Sequence, residues 1–182
     1  DLSESERTEL VSNIKEDSEW LLNMVENLLT VTRISGNTGK VKKSLEVVEE
    51  VVSEAILRLQ KRHPDMKVKV TMPNDFLMLP LDATLIEQVL INLLENSFIH
   101  SGSKEPSDLI IIEDPESVTF IIRDYGIGLD EKQLPFIFEG QYSSDSSDGH
   151  KGIGIGLSIC KTIVQAHDGV ITAANHSRGA EF

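Results

Sequence analysis

Residues 89–98 read Val89-Leu90-Ile91-Asn92-Leu93-Leu94-Glu95-Asn96-Ser97-Phe98, an apolar run interrupted by two asparagines four positions apart. The run predicts a helix over 82–98, with Asp82 as its N-cap. Asn92 and Asn96 then lie one turn apart on the same face. Burying two carboxamides costs free energy unless each is hydrogen-bonded. Two roles fit that requirement. Each amide can cap neighbouring backbone, or its oxygen can serve as a hard ligand for Mg²⁺ beside phosphates.

Downstream, Leu109–Glu113 and Ser117–Arg123 are β-rich and are separated by Asp114-Pro115-Glu116, a hairpin signal. Asp124-Tyr125-Gly126-Ile127-Gly128 follows the second strand directly. An aspartate at a strand end, beside a turn kept open by glycine, can accept a hydrogen bond from an exocyclic amine such as adenine N6. Seven of the 12 glycines fall at Gly126, Gly128, Gly140, Gly149, Gly152, Gly154 and Gly156. Lys151-Gly152-Ile153-Gly154-Ile155-Gly156-Leu157 leads into a predicted helix over Gly156–His167. Bare amides and a positive helix terminus there can receive phosphate. A dinucleotide fingerprint fails on context, because a polar loop and not a strand precedes these glycines and the third comes one residue early. A P-loop fails as well, since no Gly-Lys-Ser/Thr follows. Gly169–Asn175 reads as a further strand.

Upstream, Leu45–Lys61 is an amphipathic helix that stops before His63-Pro64. Lys67–Met72 alternates as a half-exposed strand, and Asp75–Pro80 is a second short one. Residues 5–34 read as one long helix in which Val11, Ile14, Ser18, Leu21, Val25, Leu28 and Thr32 keep the spacing of a coiled coil or bundle. Leu22, Met24 and Leu29 widen its stripe, so the helix either joins a dimeric bundle or packs on its own domain. Ser35-Gly36-Asn37-Thr38-Gly39 reads as a hinge.

The 182 residues carry 17 Lys+Arg against 30 Asp+Glu, a net charge of −13. That balance excludes a general nucleic-acid or anionic-membrane binder, whose phosphate contacts need clustered cations. Any anionic ligand must be held by local features working against the overall field. Cys160 stands alone, so neither a disulfide framework nor a cysteine zinc cluster is possible within the chain. No apolar stretch approaches the roughly 18–20 residues of a membrane span. The first residue is Asp1, which leads us to expect a piece of a longer protein.

The asparagine pair, the Asp124 turn and the Lys151–Leu157 glycines, in this order and spacing, resemble the asparagine box and two glycine boxes of the Bergerat-fold ATP-binding domain of sensor histidine kinases. Phe136-Ile137-Phe138-Glu139 falls where that family has its phenylalanine box. The resemblance covers nearly the whole chain. It implies an α+β fold, a two-layer sandwich with a mixed sheet on about three helices, preceded by one long dimerisation helix. Residues 1–36 resemble the second helix of the dimerisation hairpin and 40–182 the catalytic domain. The stretch from Leu157 through Cys160 to Gly169, and the ending Gly179-Ala180-Glu181-Phe182, are most similar to Kdp-type potassium-responsive sensor kinases.

The family's roles transfer residue by residue. Asn96 would coordinate the Mg²⁺ that bridges the ATP phosphates, with Asn92 lining the same face. Asp124 would read adenine, and Gly126 and Gly128 would let the base approach. Residues Gly140–Lys151 would form a mobile lid anchored by Phe138. Gly152, Gly154 and Gly156, followed by Leu157, would shape the phosphate cradle. Lys151 either supplies charge at the phosphates or is a solvated lid residue, and His100 either touches the nucleotide or is structural. Implied partners are a response-regulator receiver domain and a second copy of the chain. The implied location is the cytoplasmic side of a membrane-anchored bacterial sensor.

Several positions depart from the family pattern. Ile99 stands where Lys or Arg is usual, Glu139 runs into Gly140-Gln141-Tyr142 without the usual basic residue, Asp168 replaces a glycine, and Ala180 replaces a frequent Thr. The lost positive charge bears on ATP affinity and turnover. His63, His100, His150, His167 and His176 all lie outside the kind of helix that carries the family's phosphoacceptor. The chain is therefore expected to bind ATP without phosphorylating itself. A non-catalytic, nucleotide-gated dimerisation module is the alternative, and the clamp ATPases and serine kinases that share this fold are a third class.

Overall fold

The computed structural model describes residues 3–36, 41–73, 76–140 and 155–182. Helix α1 (Glu4–Gly36) opens the chain. Its start is a capping box that follows from sequence: Ser3 Oγ accepts from Glu6 N at 3.3 Å, and Glu6 Oε2 accepts from Ser3 N at 2.7 Å. The hydrogen bonds from Ser3 hold the Glu6 carboxyl below its ordinary pKa. Over most of its length the apolar stripe, including Val11, Ile14, Leu21, Val25 and Leu28, faces solvent. Near its end the helix turns inward. Thr30 and Ile34 are buried, Thr30 Oγ1 donates to Gln88 Oε1 at 2.8 Å, and Gln88 Nε2 donates to Asn27 Oδ1 at 2.9 Å.

Residues 45–47, expected to begin a helix, instead form strand β1 (Ser44–Val47), and helix α2 (Val48–Arg62) starts after it. The reason is non-local: β1 pairs antiparallel with β3 (Met78–Leu81), Ser44 opposite Leu81. Val48, Val51, Val52, Ala55 and Leu59 form the buried stripe of α2, while Glu49 and Glu50 at its start and Lys61 and Arg62 at its end suit the helix dipole. Strand β2 (Val68–Thr71) follows. Helix α3 (Ala83–His100) is capped as expected, Asp82 Oδ1 accepting from Leu85 N at 3.2 Å, and it runs two residues past Phe98.

Strands β4 (Ser107–Asp114) and β5 (Ser117–Arg123) form the expected hairpin. A single 3₁₀ turn occupies Leu134–Phe136, and helix α4 spans Ile155–Ala166. The expected strand over Gly169–Asn175 is corrected to β6 (Ala174–His176), which pairs with a strand not foreseen, β7 (Gly179–Glu181). Strands β2, β4, β5, β7 and β6 make one mixed sheet in that order, with β2 parallel to β4 and the other pairings antiparallel. One core joins its inner residues Leu109, Ile111 and Ile122 to Leu59 of α2, Leu90 and Leu94 of α3, and Ile159 and Ile163 of α4. The fold is thus the two-layer α+β sandwich expected, with three helices on one face of a mixed sheet.

Candidate functional site

Asn92 and Asn96 lie on α3, both half-buried. Among the described residues the buried Asn92 Nδ2 makes no hydrogen bond to an oxygen or nitrogen acceptor; the Asn92 side chain meets only the Cys160 thiol, a weak partner. A buried donor so weakly paired is costly, and a ligand that accepts from it would recover that cost. Its neighbour is Gly156 in the first turn of α4: a Cβ placed on that glycine would lie 3.9 Å from Asn92 Cγ. The start of α4, where backbone amides and the helix dipole favour anions, therefore faces the asparagine side of α3. Cys160 Sγ, 3.9 Å from Val89 O, fastens the two helices, and burial pushes its thiol pKa up to about 12. Leu157 is half-buried and packs on the core.

Asp124 follows β5 and is buried. Its Oδ1 accepts from Gly126 N at 3.0 Å and from Ala180 N at 3.1 Å, while its own N–H donates to Ala180 O at 3.0 Å. Oδ2 takes no donor among the described residues, which leaves a fixed acceptor for an amine. Gly126 presses on the end of α3, where Ser101 O accepts from Ile127 N at 3.0 Å. A Cβ at Gly126 would sit 2.1 Å from Ser101 O. Gly128 has φ +74°, a left-handed conformation that suits glycine. The C-terminal end of α3 thus carries one side of the Asp124 turn, and β7 carries the other.

His100, the last residue of α3, is exposed by surface area, but enough of its ring is covered that burial lowers its pKa below the ordinary value. In the Phe136–Glu139 segment the residue that anchors is Ile137, which is buried; Phe138 is half-buried and Phe136 exposed. Glu139 pairs with Lys161 of α4 at 2.8 Å. Gly140 has φ +70°. Lys151, Gly152 and Gly154 lie outside the described residues, as does the rest of the expected lid from 141 onward. A separate hollow of about 420 Å³, lined by Val47, Val48, Met72, Phe76 and Ile111 among others, contains none of the site residues. The converging polar groups, and not that hollow, mark the site.

Sequence reasoning missed the scaffold beneath Asp124, namely Ser101, Asn175, His176 and Ala180. No local signal marks them, because each meets the Asp124 turn only through the sheet and the α3 terminus.

A family model described as histidine kinase-, DNA gyrase B-, and HSP90-like ATPase matches residues 81–182. The chain belongs to that family. Sensor protein KdpD of Clostridium acetobutylicum is 43% identical over 180 residues, covering 98% of this chain and 20% of that protein. Sensor protein KdpD of Escherichia coli is 33% identical over 158 residues, covering 86% of this chain and 17% of that protein. The chain therefore spans about a fifth or less of the length of these relatives. Among solved structures, the Acinetobacter baumannii histidine kinase AdeS superposes with a TM-score of 0.72 at 19% identity, covering 100% of this chain and 83% of that one. That likeness bears on the fold, which includes the long first helix.

Proposed function

We propose that this chain is the ATP-binding catalytic region of a two-component sensor histidine kinase. It would transfer the γ-phosphoryl of ATP to a histidine outside the chain, and from there the group would pass to an aspartate of a response regulator. In the first step the bond from γ-phosphorus to the ADP oxygen breaks and a phosphorus–nitrogen bond forms. The acceptor imidazole loses its proton to solvent. The observation that carries the reading is the buried amide of Asn92, paired among the described residues only with the weak Cys160 thiol, beside the first turn of α4.

Asp124 Oδ2 would accept the adenine amine, with Gly126 and Gly128 admitting the base and His100 and Phe138 at the margins of the site. Gly152, Gly154, Gly156 and Leu157 would cradle phosphate, with Lys151 adding charge. Asn96 is half-buried on the face of α3 that carries Asn92, and among the described residues it has no hydrogen-bonded partner. Its carboxamide oxygen suits Mg²⁺, which prefers few protein ligands together with substrate phosphates. When bound, the ion would neutralise phosphate charge, the main demand of phosphoryl transfer. In a chain of net charge −13 with Ile99 at a position often basic, that neutralisation matters more than usual.

The division into a dimerisation helix over 1–36 and a catalytic domain over 40–182 belongs to the same reading. So do pairing with a second copy through the exposed stripe of α1, and a cytoplasmic position in a membrane-anchored sensor. Among the described residues no helix is long and apolar enough to cross a membrane. The test is phosphorylation of a supplied acceptor helix by this chain with Mg²⁺-ATP. Transfer that falls at least tenfold in Asn96→Ala, and ATP binding that weakens strongly when Mg²⁺ is chelated, are expected. No transfer, with Asn96→Ala binding ATP like the parent, defeats the reading. ATP binding without transfer would favour the non-catalytic module.

A further inference from the structure

We infer that Asn175 and His176 are positioning residues for base selection: they hold both ends of the Asp124–Leu129 turn, so preference for ATP over GTP depends on side chains that need not touch the nucleotide. This rests on the reading of Asp124 as the adenine acceptor. At the far end of the turn, Asn175 Oδ1 accepts from Leu129 N at 2.7 Å and Asn175 Nδ2 donates to Leu129 O at 2.8 Å. At the near end His176 Nε2 lies 2.7 Å from Asp124 O. A carbonyl only accepts, so Nε2 carries the proton in this contact. Two consecutive residues of β6 thereby grip the first and last residues of one turn.

The grip is itself supported. The Tyr125 ring meets His176 edge-on, with centroids 5.7 Å apart at 88°. The Tyr125 hydroxyl donates to Asp108 of β4, which raises the phenol pKa. Arg178 lies over the Tyr125 ring at 5.0 Å and pairs with Glu105 at 2.5 Å. Between the gripped ends, Gly128 passes so close to Asn175 that a Cβ would lie 2.8 Å from its Oδ1.

Base choice is sensitive to this placement. An aspartate oxygen accepts from the adenine amine but meets an acceptor, the six-position carbonyl, on guanine. A site built around one hydrogen bond rejects the wrong partner strongly only while its geometry is held. Freeing either end lets Asp124 shift or rotate, and both nucleotides can then be accommodated.

The test is titration of the chain in Mg²⁺ with fluorescent ATP and GTP analogues, reading the ratio of the two dissociation constants. A smaller folded fraction weakens both analogues alike and leaves the ratio unchanged, so the ratio isolates positioning from stability. Asn175→Ala and His176→Phe are expected to lower the ATP preference about tenfold or more. His176→Gln, whose amide can donate to Asp124 O, is expected to keep it. Should the first two fail to fold, Asn175→Asp serves, because it keeps the acceptor for Leu129 N but sets an oxygen against Leu129 O. An unchanged ratio in the folded variants overturns the inference. Asp124→Asn separates the two failures. If it abolishes the preference while the Asn175 and His176 variants do not, only the positioning claim is wrong. If it leaves the preference intact, the adenine reading fails and the inference falls with it.

Discussion

Replacing Gly126 by Ala adds one methyl group at the tightest backbone contact near the site. Its φ lies outside the left-handed region, so the substitution tests space alone. The new Cβ would lie 2.1 Å from Ser101 O and 2.5 Å from Ser101 C, and neither is the movable end of a side chain. Relief requires the turn and the end of α3 to part by about 1.3 Å or more to reach ordinary contact distance. That separation breaks the 3.0 Å bond from Ile127 N to Ser101 O, at a residue only 6% exposed. Leaving such a group unmade costs about 1–3 kcal/mol. Forced repacking adds about 1–3 kcal/mol, so the total is about 2–6 kcal/mol. For a chain of this size that corresponds to a fall of roughly 5–20 °C in thermal midpoint. Because Asp124 moves with the turn, affinity for a fluorescent ATP analogue should drop in the fraction that remains folded. Gly102→Ala is the control: it has φ +69° with nothing within 4 Å, so it carries only the left-handed penalty, about 1–2 kcal/mol, and spares binding. Denaturation and analogue titration of both variants check this. A Gly126→Ala protein no less stable than Gly102→Ala, binding the analogue like the parent, would refute the reasoning.

Two further predictions concern the packing around the site. The Cys160 thiol is held protonated, its pKa raised from 9.0 to about 12, so in the native state it should resist maleimide at pH 8 and react only as the chain unfolds. The unfolded chain releases this proton above about pH 9 and the folded one only near 12, so this contribution to stability declines as pH rises through that window. Cys160→Ala should flatten the decline in denaturation midpoints measured between pH 8 and 10. At the end of α4, Asp168 adopts φ 65°, a conformation costly for a residue with a Cβ, and it pairs with Lys43 in solvent at 2.5 Å. Exposed pairs contribute little and are screened by salt, so Asp168→Gly should raise the thermal midpoint, and more so at high ionic strength. A lower midpoint at both salt concentrations would show the Lys43 pair to be dominant.

What was legible in the sequence follows from how far each signal reaches. The cap at Asp82, the apolar run of α3 and the β4–β5 hairpin are specified by neighbours within a few residues, and the structure has them where the sequence places them. Strand β1 was not legible, because Ser44–Val47 becomes a strand through pairing with residues more than 30 positions away. The same holds for β7, which joins the sheet by placing Glu181 opposite Arg123. In the site, Asn92, Asn96, Asp124 and Gly156 were chosen from residue type and spacing. Ile137, rather than Phe138, as the buried residue of its segment was not, because burial depends on how the turn is covered in the folded chain.

The sequence by itself determined the chemistry on offer: two amides on one helical face, an aspartate at a strand end, and glycines ahead of a final helix. Those depend on residue identity and on periods of two and 3.6, which act locally. Tertiary structure decided which atoms are free to use that chemistry. Among the described residues, burial of Asn92 Nδ2 against α4 leaves it only the weak Cys160 thiol, and the binding of Asp124 Oδ1 by Gly126 and Ala180 leaves Oδ2 without a donor. Whether a donor or acceptor is satisfied depends on groups brought close by packing, and in this chain those groups come from the α4 start and the C-terminal hairpin.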